Sequence, residues 1–110
     1  MTTNEENGWL TAVLRPAGSL DPAAVCRLAE AITTLAAGAD MVVVDLTAAR
    51  VPSPDQLAAA LRAPARRLAG PGRCLLLVGA TADLLPALDR FDVRVSTLAG
   101  AWNIQAPASA

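Results

Sequence analysis

The chain of 110 residues suits a single domain, and its 54% apolar content supplies a core that a disordered chain lacks. Ten acidic residues against nine basic ones leave a net charge of −1, without the cationic excess that nucleic-acid binding requires. Histidine is absent and the two cysteines, Cys26 and Cys74, have no metal-ligand spacing, which removes the commonest general base and the commonest metal ligand.

Met1 to Gly8 is polar and acidic, unlike a secretory signal, and reads as a mobile tail (residues 1–8). Trp9 to Leu14 is the first predicted strand and opens a domain over residues 9–99. Gly18-Ser19-Leu20-Asp21-Pro22 then punctuates the chain. Asp21 is a good helix cap, and Pro22 at the first helical position lacks an N–H that would have been orphaned in any case. The first helix is predicted from Pro22 to Ala37. Val25, Leu28, Ile32 and Leu35 form its apolar stripe, and Gly38 is its C-cap. Met41 to Leu46 is a continuous apolar run broken only by Asp45 near its end, the pattern of a central strand buried on both faces.

Ser53, Pro54 and Gln56 fit the N-cap, first and third positions of a second helix, an S-x-x-Q capping box. Leu57, Leu61, Pro64 and Leu68 point inward, and Pro64 predicts a kink because it removes a backbone bond and crowds the carbonyl of Ala60. Gly70-Pro71-Gly72 stops that helix. Cys74 to Val78 is the next buried strand, closed by Gly79. A short helix follows through Leu88, capped by Thr81 or Asp83, with Pro86 favouring Asp83. Val93 to Val95 is the last predicted strand, and residues 100–110 form a C-terminal tail. Strands alternating with helices predict an α/β fold, a mainly parallel sheet of four to five strands with helices packed on it.

In order and spacing these segments resemble the STAS domain family, the fold of the anti-sigma factor antagonists. Gly18-Ser19-Leu20-Asp21 is similar to the family's G-x-L-D turn, and Val42-Val43-Val44-Asp45-Leu46-Thr47 to its central strand ending in D-L-S or D-L-T. Arg73 to Gly79 resembles the next strand, and Leu84 to Val95 the short helix and final strand. The resemblance implies a protein-interaction module, an anti-sigma factor antagonist-like regulator of transcription. Its implied partner is an anti-sigma-factor-type kinase or a larger regulatory complex. The family carries D-S-S-G after the central strand, its first serine being the one a partner kinase phosphorylates. In register this chain has Ser53-Pro54-Asp55-Gln56, so Pro54 stands at the phosphoacceptor position and offers no hydroxyl. The family's C-terminal helix also looks truncated after Gly100-Ala101-Trp102-Asn103-Ile104.

The expected partner surface is Asp21, Ser53, Pro54, Asp55, Gln56 and Arg62, the last on the mildly basic outer face of the second helix with Arg66. Each has a plainer reading. Asp21 and Ser53 are caps, Asp55 complements a helix dipole, and the arginines lie on a solvated face. The sharper reading of Asp55 is a permanent charge imitating a phosphorylated state, and that of Ser53 a displaced phosphosite. Cys74 is expected in the core and Cys26 off the stripe of the first helix. Trp102 either covers the sheet edge or anchors another subunit. No cofactor and no enzymatic activity are expected, since no nucleophile, base or phosphate loop accompanies Asp21 and Asp45. The absence of an apolar run of ~20 residues predicts no membrane insertion and a cytoplasmic location. A surface poor in charge suits a partner or self-association as a homodimer. Two alternatives stay open: an accessory STAS subunit of a membrane transporter complex, and a small-ligand or nucleotide binder using the crevice at the strand ends.

Overall fold

The computed structural model describes residues 10–98. The predicted tails, Trp9, Trp102 and the truncated last helix lie outside the described residues. Nine elements follow in order: β1 Thr11–Leu14, β2 Gly18–Ser19, α1 Pro22–Ala36, β3 Met41–Asp45, β4 Ala49–Arg50, α2 Pro54–Arg67, β5 Cys74–Val78, α3 Leu84–Arg90 and β6 Ser96–Leu98.

The main sheet has the order β1-β3-β5-β6 and every pairing is parallel. Each new strand joins the same side of the one before, so right-handed crossovers place the connecting helices on one face. The register agrees. Ala12, Val42, Leu75 and Leu14, Val44, Leu77 lie in two rows of one face, packed in a core with Val25, Leu28 and Ile32 of α1, Leu57 and Leu61 of α2, and Leu84 and Leu88 of α3. Val42, Val43 and Val44 are all fully buried, as a central strand requires. Val43 and Val78 project to the opposite face by strand alternation and are buried too.

The predicted caps of α1 and α2 form. The Ala24 N–H donates to Asp21 Oδ1 at 2.8 Å, and the Gln56 N–H to Ser53 Oγ at 3.3 Å. The helix α2 runs through Pro64, which is fully buried on the inward stripe.

Several expectations are corrected. Leu35 of the α1 stripe is half-buried and packs against the core, and Ala36 beside it, which the stripe did not include, is buried. Ala37 is the C-cap of α1, and its backbone remains right-handed. Gly38 follows outside the left-handed region, its N–H donating to the Leu35 carbonyl at 3.0 Å. Asp83 stands at the N-cap of α3 but in helical conformation and without a side-chain cap bond; the Leu84 N–H donates instead to the Thr81 carbonyl at 3.0 Å. That helix continues to Arg90, past Leu88.

The last strand is Ser96–Leu98, three places after the predicted Val93 to Val95. Asp92 adopts a left-handed conformation (φ 55°), and the Val93 N–H donates back to the Leu88 carbonyl at 2.9 Å. Val93 is consequently buried beneath α3 as a core plug, and the chain can extend only beyond it.

A second ladder escaped the sequence reading. The strands β2 and β4 pair in parallel, Gly18 with Ala49 and Ser19 with Arg50. Two-residue strands carry no periodicity to recognise. This ladder lies where the chain leaves β1 and β3, and it joins the two connections that lead into α1 and α2.

Candidate functional site

The carboxyl end of the sheet is organised by Asp45. Its Oδ1 accepts from the Thr47 hydroxyl at 2.6 Å and from the Thr47 N–H at 3.0 Å, and Arg15 Nε lies 3.5 Å from Oδ2. Asp45 is 8% exposed. The Thr47 hydroxyl, then the Thr47 amide, hold its pKa below the usual carboxylate value against the opposing effect of burial, with a smaller contribution from Arg15. Its Oδ1 is thus committed to the turn after β3, and its Oδ2 faces Arg15. Gly79, at the matching end of β5 with φ 75°, lies against the same turn. A Cβ there would sit 2.6 Å from Thr47 Cγ2 and 3.1 Å from the Thr47 nitrogen.

From that turn the chain passes through β4 into Pro52 to Gln56. The Leu20 N–H donates to the Arg50 carbonyl at 2.8 Å, so the turn bearing Asp21 is tied to the segment entering this loop. Asp21, Ser53, Pro54, Asp55 and Gln56 therefore belong to one connected end of the molecule, although Asp21 lies 32 to 35 positions earlier in the chain than the other four.

Pro52, Ser53, Pro54 and Asp55 line one wall of an open cleft of about 480 Å³. The other wall is Asp83, Pro86 and Arg90 of the α3 region, which sequence reasoning missed. Arg90 donates to the Asp55 carboxylate across the cleft. Asp55 is therefore paired, and its charge is offset by a neighbour 35 positions away. No local pattern announces such a pair. Both side chains are more than half exposed, so the ion pair contributes about 0–1 kcal/mol. Its effect is to set the shape of the cleft.

Arg62 is not part of this cleft. It lines a different depression with Arg66, Asp92 and Arg94, towards the C-terminal half of α2. Cys26 is exposed, as expected, whereas Cys74 is half-buried instead of lying in the core. Among the described residues no cluster of potential metal ligands occurs, and no helix is long and apolar enough to cross a membrane.

No protein-family model matches the chain, and no curated protein matches it by sequence. Solved structures do. The anti-sigma factor antagonist SpoIIAA in its unphosphorylated form superposes with a TM-score of 0.63 over 83% of this chain and 81% of its own, at 15% identity. A likeness spanning most of both chains at so low an identity is a statement about architecture. The wound parallel sheet, the helices on its face and the order of segments read from the sequence converge with it: the chain has the STAS fold of the anti-sigma factor antagonists.

Proposed function

We propose that this protein is an anti-sigma factor antagonist-like interaction module that lacks the usual phosphoacceptor serine. Docking would use the turn at Asp21 and the loop Pro52 to Gln56, while Arg62, expected in the same surface, lines a separate depression on α2. The observation that carries this reading is the ladder between β2 and β4, which gathers the Asp21 turn and the Ser53 loop at one end of a fold shared with SpoIIAA. Binding would be reversible surface complementarity. Three prolines at the cleft, Pro52, Pro54 and Pro86, restrict the backbone before a partner arrives and so reduce the ordering cost of association. Pro54 stands where the family places its phosphoacceptor, so a kinase partner would bind without being able to modify that position.

Capture from the native cytosol on immobilised protein, with identification by mass spectrometry, tests the reading. A kinase of the anti-sigma-factor type should be retained, and Asp21→Arg or Gln56→Arg, both at exposed positions, should reduce its recovery at least about tenfold. Recovery of a transporter ATPase would replace the regulator with an accessory subunit. Retention unaffected by either substitution would remove this surface from the interface.

A further inference from the structure

A second surface lies at the other end of α2. Arg62, Ala65, Arg66 and Ala69 of α2 and its C-terminal flank face Asp92 and Arg94 of the α3–β6 connection across a cleft of about 220 Å³. It adjoins a second cleft of about 360 Å³ that shares Ala69 and Arg94 and continues past Arg73 and Cys74 to Ser96. Together they form an elongated groove whose rim is cationic and whose floor near α2 is alanine.

The charges are available. Among the described residues Arg62 and Arg66 form no ion pair, and Arg94 makes only a 3.5 Å contact to Asp92, with both side chains largely exposed. Arg66 in the last turn of α2 complements the helix dipole, but Arg62 lies mid-helix and Arg94 is not helical, so the dipole does not explain all three. Arg94 is also held in place: it follows Val93, which is buried in the core. The groove ends at β6, whose residues are all exposed and whose outer edge pairs with no strand among the described residues.

We propose that this groove is a second docking surface, distinct from the Ser53 loop, which takes an extended acidic segment of a partner protein. The guanidinium groups of Arg62, Arg66 and Arg94 at the first cleft suit carboxylates, and the continuation of the groove to Ser96 suits an extended chain. The small side chains of Ala65 and Ala69 let a main chain approach closely. A compact phosphate fits less well, since it would occupy only the first cleft and leave the continuation to Ser96 unfilled.

The test is fluorescence anisotropy of a short labelled peptide of alternating Glu and Ala against the full chain at low ionic strength. Arg66→Ala and Arg94→Ala should each weaken binding about fivefold. Asp92→Asn removes the groove's one carboxylate while keeping a residue that tolerates left-handed backbone, and should tighten binding. Arg27→Ala, on α1, and Asp55→Asn, at the Ser53 cleft, should leave it unchanged. Bound peptide should slow thiol labelling of Cys74 but not of exposed Cys26. Equal weakening by Arg27→Ala would reduce the interaction to non-specific charge and overturn the proposal. Displacement of the peptide by millimolar inorganic phosphate at constant ionic strength would likewise overturn it in favour of a compact-anion site. Tighter binding in Asp55→Asn, which frees Arg90, would place the peptide on the other surface. Failure to capture a kinase leaves this result unaffected, because none of its arms involves Asp21 or Gln56.

Discussion

Asp45 and Gly79 show how single residues hold the carboxyl end of the sheet in shape. The folded-state pKa of Asp45 lies below its ordinary value of 3.8, so the unfolded chain takes up this proton first as pH falls. The stabilisation is complete above the ordinary value and is lost as pH drops through it towards the depressed one. Urea unfolding at pH 7 and pH 3 should show that loss, and Asp45→Asn should be less stable at pH 7 with a flatter dependence over the acid range. Equal acid sensitivity in the variant would deny Asp45 this role. At Gly79 an added Cβ meets backbone as well as side chain of Thr47, and φ is left-handed. Gly79→Ala should therefore cost about 2–4 kcal/mol in the same assay, from a strained backbone and a clash that cannot be relieved by rotating one side chain.

Among the secondary elements, the helices are specified at their starts by contacts three residues apart. Ser53→Ala should lower stability by about 1 kcal/mol, because the Gln56 N–H loses its acceptor, and Asp21→Ala should do the same for Ala24. Chemical denaturation distinguishes this from a role for Ser53 in partner contact alone, which would leave the midpoint unmoved. The strands depend on burial. Ile32 is fully buried in the core between α1 and the sheet, and Ile32→Ala should cost about 2–5 kcal/mol. The shift of β6 belongs here as well. Val93 to Val95 has the composition of a strand, but burial of Val93 under α3 and the left-handed Asp92 outweigh that preference.

For the molecule as a whole, α2 acts as a bridge between two surfaces of different chemistry. One end carries caps, prolines and the Asp55–Arg90 pair, and the other a groove rimmed by arginine. Incubation of the intact protein with an anti-sigma-factor-type kinase and ATP should leave its mass unchanged, since Pro54 has no hydroxyl and the Ser53 hydroxyl accepts the cap bond. A phosphate on Ser53 would contradict the assignment of that side chain to the cap alone.

Much of this structure was legible from nearby residues. Asp21-Pro22 and Ser53-Pro54 mark helix starts because a cap is satisfied within one turn of chain. The runs Met41 to Asp45 and Cys74 to Val78 announce buried strands because a parallel sheet between crossovers leaves its centre dry. The loop Ser53 to Gln56 was visible as a unit for the same local reason. The β2–β4 ladder, the clasp of Arg90 on Asp55, the descent of Val93 into the core and the meeting of Arg94 with Arg62 and Arg66 were not. Each joins residues distant in the chain, and it is the direction in which successive crossovers wind, with the packing of α2 and α3 on one face of the sheet, that brings them together.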